Sequence, residues 1–81
     1  MIIRVLDTVA TGRKIKELRK GKKITVEKIG EYLNLSDQAI YKWQRGDSAP
    51  TIDNLLMLSE ILDVSLDELV QTKEVEYGIG A

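Results

Sequence analysis

The chain has 81 residues with no cysteine and no histidine, which excludes disulfides and thiolate metal sites and removes the commonest metal ligand and general base. That length allows one domain with a modest core, and 43% hydrophobic with 31% charged residues excludes wholesale disorder. The net charge of −1 averages two unlike halves: residues 1–46 hold eleven Lys/Arg against five Asp/Glu, a net +6, and residues 47–81 hold one against eight, a net −7.

In chain order, residues 1–10 (MIIRVLDTVA) are rich in β-branched and long apolar residues and carry no helix signature. They read as an extended N-terminal arm or a short strand. A first helix is expected from about Gly12 to Lys20, with Thr11 as its N-cap, Ile15 and Leu18 as its apolar stripe, and Gly21 as a left-handed C-terminal residue. A second helix starts after Thr25 and carries Val26, Ile29 and Leu33 inward, and Asn34 takes the positive φ that ends it. A third runs from Ser36, another N-cap, to about Gln44, with Ile40 and Trp43 inward. Gly46 closes that region, and Asp47 to Pro50 form a loop.

The fourth helix follows Thr51 and reaches about Leu62. Ile52, Leu55, Leu56, Leu58, Ile61 and Leu62 make it the most apolar element. A short fifth helix opens on Ser65-Leu66-Asp67-Glu68, a capping box in which hydroxyl and carboxylate each satisfy a backbone N–H. The tail, residues 71–81, alternates Val75 and Tyr77 with charge and then carries Gly78 and Gly80. It either pairs as a strand with the N-terminal arm or stays frayed. The organisation expected is therefore an arm at 1–10, a helical domain at 11–70 and a tail at 71–81.

The stretch Thr25 to Gly46, TVEKIGEYLNLSDQAIYKWQRG, carries the most information. Two helices joined by about three residues must cross steeply. That crossing needs a small residue where they approach (Gly30), a residue tolerant of positive φ at the turn (Asn34), and apolar anchors (Ile29, Leu33, Leu35, Ile40, Trp43). All fall in one register, that of a helix-turn-helix. A basic half joined to an acidic half fits a chain with one DNA-facing surface and one facing away.

From about Gly12 to Leu69, the runs IKELRKGKKIT, LSDQAIYKWQRG and APTIDNLLMLSEILDVSLDELV resemble the Cro/repressor-type, or XRE, family of DNA-binding domains. The resemblance implies a compact all-α five-helix fold; short terminal strands remain one of the two readings of the termini. It also implies a prokaryotic or phage-like transcription regulator, a repressor, that lays its third helix in the major groove of double-stranded DNA, commonly as a homodimer on a two-fold related site.

On that helix Asp37, Gln38, Tyr41 and Lys42 lie away from the Ile40/Trp43 side and are the candidate base contacts. Gln38 can pair bidentately with adenine, and Lys42 can donate to guanine O6/N7 or to a phosphate. Asp37 either accepts from cytosine N4 or stabilises the helix N-terminus, and the helix role is favoured. Trp43 is core rather than a base-stacking platform. Candidate phosphate contacts are Arg13, Lys14, Lys20, Lys22, Lys23, Thr25, Ser36 and Arg45; Arg45 resembles the family's phosphate-contacting position after the recognition helix.

One position departs from the family. Val26 stands where many members carry a Gln whose amide anchors the DNA backbone. Either Thr25 and the nearby lysines supply that anchoring, or affinity is lower. The rival reading is a protein-interaction module on the same fold, such as an antitoxin or a regulator-complex component. The two differ at the surface of the third helix: a DNA reader shows one continuous basic face from helices 1 to 3, a protein binder an apolar patch there. Catalysis is not expected, since no Gly-rich phosphate loop or paired-carboxylate arrangement stands out. No cofactor, metal or small-molecule ligand is implied. With no signal-peptide organisation and no apolar run near the roughly 18 residues of a membrane span, a soluble cytoplasmic protein is expected.

Overall fold

Five short polar side chains set where the helices of this protein begin. In a computed structural model describing residues 1–78, the elements are β1 (Ile2–Leu6), α1 (Thr8–Gly21), α2 (Val26–Leu33), α3 (Asp37–Arg45), α4 (Ile52–Ile61), α5 (Leu66–Leu69) and β2 (Thr72–Glu76). Asp7, Thr25, Ser36, Thr51 and Ser65 precede the five helices in turn. Each accepts a hydrogen bond from the backbone N–H three residues on. A cap of this kind stabilises a helix by about 1 kcal/mol. Gly80 and the rest of 79–81 in the expected tail lie outside the described residues.

The first helix departs from expectation at both ends. It begins at Thr8, not near Gly12, because Asp7 caps it by accepting from the Ala10 N–H at 2.9 Å. Residues 8–10 of the expected arm are therefore helical. Thr11 is no cap: it is buried, and its hydroxyl donates to the Gln71 carbonyl at 3.2 Å and accepts from the Gln71 N–H at 3.0 Å. Gly21 is the last helical residue, and the left-handed backbone falls instead on Lys23, at φ 59°. Ile24 N–H reaches the Arg19 carbonyl at 3.0 Å while the Arg19 guanidinium donates to the Ile24 carbonyl at 3.1 Å. This double tie sets where the chain reverses.

α2 and α4 begin and end close to where expected, and Asn34 ends α2 at φ 56°. The capping box of α5 is half formed. Ser65 Oγ accepts from Glu68 N–H at 3.1 Å, but among the described residues the Glu68 carboxylate makes no return bond. The Glu68 carbonyl accepts from the Gln71 amide at 2.8 Å instead, closing the helix exit.

The core is one cluster: Ile15, Val26, Ile29, Leu33, Ile40, Trp43, Leu55, Leu58, Leu62 and Leu69. Every helix contributes, so burial of apolar area, not local propensity, holds them together. Leu18, Leu35 and Ile61 pack at its margin. Two of the residues that make α4 the most apolar element, Ile52 and Leu56, stay exposed, as does Met57. A ten-residue helix touching the core along one side cannot bury apolar residues on three.

The termini pair. β1 and β2 form a two-stranded antiparallel ribbon in the register Ile2 opposite Glu76, Arg4 opposite Glu74 and Leu6 opposite Thr72. Asp7 N–H to Gln71 O at 2.8 Å continues the ladder to the base of the ribbon, where Thr11 holds the same Gln71. No described helix is long and apolar enough to cross a membrane.

Candidate nucleic-acid interface

The geometry of α3 is fixed from beneath by α1 and α2. A side chain on Gly12 would collide with the Trp43 carbonyl, so α1 and α3 touch backbone to backbone. A Cβ on Gly30 would sit 2.7 Å from the Leu35 carbonyl and 3.6 Å from Ile40 Cδ1, which sets the α2–α3 crossing. Arg19 completes the support, its Nε donating to Gln44 Oε1 at 2.9 Å. Neither Arg19 nor the close approach at Gly12 was foreseen from sequence. The only sequence signal was a glycine costing about 1 kcal/mol relative to alanine within a helical pattern.

With Ile40 and Trp43 buried, α3 leaves Gln38, Tyr41, Lys42 and Arg45 exposed. Their spacing of three, four and seven residues puts them along one stripe. Gln38, Tyr41 and Lys42 make no side-chain hydrogen bond or ion pair among the described residues, so their polar ends are free for a ligand. Asp37 sits differently. It is half-buried, and its Oδ1 lies 3.4 Å from where a Gly30 Cβ would be, so the carboxylate leans towards α2 at the first turn of α3. That placement matches the helix-stabilising role.

The candidate phosphate contacts divide into three groups. Arg13, Lys20 and Lys23 are exposed without a carboxylate partner among the described residues. With Lys16, which sequence reasoning counted only as charge, Arg13 and Lys20 form an exposed basic stripe along α1 at spacings of three and four. Thr25 and Ser36 are exposed caps at the starts of α2 and α3, bonded to Lys28 N–H at 3.1 Å and Ala39 N–H at 3.4 Å. The third group already has acids nearby: Lys14 with Glu17 at 3.9 Å, Lys22 with Asp63 at 4.0 Å and Arg45 with Asp47 at 2.9 Å. These are exposed or partly exposed pairs of small energy, and a phosphate can compete for the base. Lys28 lies 5.4 Å from the Tyr32 ring centre and 3.4 Å from Glu31.

Val26, standing in the usual Gln position, is 2% exposed and belongs to the core. It is absent from the surface, and its contribution is packing.

Five capped helices, a steep α2–α3 crossing and a polar stripe on α3 define a repressor-type helix-turn-helix domain. The family model described as Helix-turn-helix matches residues 15–69, and the chain belongs to that family. A transcriptional activator, BcrR of Enterococcus faecalis, is 37% identical over 62 residues, covering 76% of this chain and 30% of the relative. Repressor protein C2 of Salmonella phage P22 is 35% identical over 66 residues, covering 82% of this chain and 31% of the relative. The chain thus spans about a third of the length of these curated relatives.

Among solved structures, the P22 c2 repressor in complex with a synthetic operator superposes with TM-score 0.70 at 36% identity, over 75% of this chain and 92% of that one. The restriction-modification controller protein C.AhdI of Aeromonas hydrophila gives 0.71 at 28% identity, over 78% and 96%.

Proposed function

We propose that this protein binds double-stranded DNA in a sequence-specific manner as a transcriptional regulator, with α3 in the major groove and two copies on a two-fold related site. The carrying observation is the exposed stripe Gln38–Tyr41–Lys42, unbonded within the described chain, on a scaffold shared with a repressor solved on a synthetic operator. Gln38 and Lys42 read base edges. Arg13, Lys20 and Lys23 meet phosphates from α1 and the following turn, Thr25 and Ser36 meet them from the starts of α2 and α3, and Lys14, Lys22 and Arg45 join as their acidic partners are displaced. The output proposed is repression, which follows where the bound site overlaps a promoter.

The protein-interaction reading is disfavoured by the same helix, whose exposed side chains are polar or basic apart from the ring of Tyr41. The test is selection of bound sequences from a random DNA pool at low and moderate salt, because phosphate contacts make affinity fall steeply with ionic strength. A palindromic consensus supports the proposal. Recovery of no consensus at either salt overturns it.

A further inference from the structure

We infer that the terminal ribbon is a dimerisation element: the open edge of β1 pairs antiparallel with β1 of a second copy, giving a four-stranded sheet centred on Ile3. This deepens the two-fold DNA-binding reading and rests on it for its purpose, but the pairing itself is tested without DNA.

The ribbon is poorly supported as it stands. Beyond its base, where Asp7 and Thr11 hold Gln71, it projects from the helices. The molecule measures 49 × 23 × 19 Å with a radius of gyration of 13.9 Å, against about 12 Å for a compact chain of this length. A lone two-stranded ribbon is marginal in water, and three or more strands are needed for independent stability.

The hydrogen-bond parity shows which groups are open. Tyr77 N–H bonds to Met1 O and Asp7 N–H to Gln71 O, both at 2.8 Å. In the register given by Ile2 opposite Glu76, the odd residues of β1 therefore turn their backbone groups to β2. The even residues Ile2, Arg4 and Leu6 turn theirs outward. On β2 the outward set is Thr72, Glu74 and Glu76.

These two edges are not equivalent. The three antiparallel registers that overlap β2 most fully with its own copy place Lys73 against Lys73, Glu74 against Glu74, or Glu74 against Glu76. Such charge is how natural edges are blocked. The β1 edge carries one charge among four apolar residues. Centred on Arg4 it would oppose two guanidinium groups. Centred on Ile3 it pairs Ile2 with Arg4 of the copy twice over. One face then shows the row Val75–Ile3–Ile3–Val75, and on the other each Arg4 lies between its own Glu74 and, across Ile2, the copy's Glu76. The contact is isologous, so it closes at two copies. The groove between ribbon and helices, about 610 Å³, is lined by Arg4, Leu6 and Thr72 on one side and Ile52, Leu66 and Val70 on the other. That groove runs under the even-numbered face of the ribbon and reaches the exposed Ile52 at the start of α4.

The full chain and two variants test this by sedimentation without DNA. Arg4→Pro removes one outward N–H and none that faces β2, so it should sediment as a monomer with an unchanged helical circular dichroism spectrum, while the parent is a dimer. Ile3→Cys, the only thiol in the chain, should give a disulfide-linked dimer under mild oxidation, since directly opposed residues of this kind lie about 4.5 Å apart at Cα. Lys73→Cys should not.

A monomeric parent, a dimeric Arg4→Pro variant, or cross-linking at Lys73 but not Ile3 would each overturn the inference; so would growth beyond dimers through β1 pairing with β2. If Arg4→Pro does not fold, the cross-linking pattern decides. Failure of the DNA-binding reading would show separately, as a parent that dimerises through Ile3 yet selects no DNA sequence.

Discussion

Gly12 of α1 meets the backbone carbonyl of Trp43 in α3, so closely that a single methyl group does not fit between them. The helix that carries Gln38 and Lys42 is thus positioned by a backbone contact on its buried side. Gly12→Ala must push α1 away from α3 or tilt α3. The expected loss is about 3 kcal/mol of stability, at the upper end for overpacking, together with loss of sequence-specific binding. Denaturant unfolding and titration of the selected DNA site measure the two effects.

A polar counterpart to that contact is Arg19, which joins α3 through Gln44 and the α1–α2 turn through the Ile24 carbonyl. Arg19→Ala should cost about 2 kcal/mol, because two hydrogen bonds to a charged group are lost. Arg19→Lys should recover little, since an ammonium group cannot span both acceptors in the geometry of a planar fork. A lysine variant as stable as the parent in thermal unfolding would show that charge, not the fork, matters.

Gln38→Ala and Lys42→Ala should each weaken specific binding by about 1–3 kcal/mol, with selectivity relaxed at one base pair in each case. Arg13→Ala and Lys20→Ala should act differently. They should weaken binding to all sequences alike and reduce the slope of log affinity against log salt by about 1 each. Salt titrations on the selected site and on unrelated DNA distinguish these patterns. Equal effects on both DNAs from Gln38→Ala would remove α3 from base reading.

The helix-turn-helix was legible because its demands are local: caps at Thr25 and Ser36, a left-handed Asn34, a small Gly30 and an apolar register all fall within 22 residues of sequence. The start of α1 is not legible in the sequence because Asp7 and Thr11 are both competent caps by type. What decides between them is Gln71, sixty residues away in sequence, which claims the Thr11 hydroxyl. Pairing of the termini is not legible for the same reason: strand pairing is a long-range property, and five residues of alternating pattern in β2 do not identify their partner. At the candidate site, side-chain type and spacing picked out Gln38, Tyr41 and Lys42. Spacing could not show that Arg45 has a carboxylate neighbour, because both groups are flexible and the loop after α3 sets their separation.

Val26 shows how a surface reading of one position changes once burial is known. At 2% exposure it packs in the core at the first residue of α2, so restoring the family's usual residue is not a simple gain of a DNA contact. Val26→Gln either buries an amide without a partner or pulls α2 outward to free it. It should cost about 1–3 kcal/mol of stability with no gain in affinity for the selected site. A variant of parental stability that binds DNA more tightly would mean that α2 tolerates the turn needed to expose the amide.

Arg45 and Asp47 offer the complementary test, in which removing an acid should strengthen the interface. Their 2.9 Å contact is more than half exposed on both sides, and exposed pairs of this kind contribute about 0–1 kcal/mol. Asp47→Asn should therefore leave thermal stability nearly unchanged. It removes one negative charge beside the end of α3 and releases the guanidinium for a phosphate, so DNA affinity should rise severalfold and depend more steeply on salt. The double variant Arg45→Ala with Asp47→Asn should lose the gain in slope, because the added counterion release belongs to Arg45. If Asp47→Asn raises affinity equally in the presence and absence of Arg45, the acid acts only by general repulsion. Arg45 would then lie outside the phosphate-contacting set.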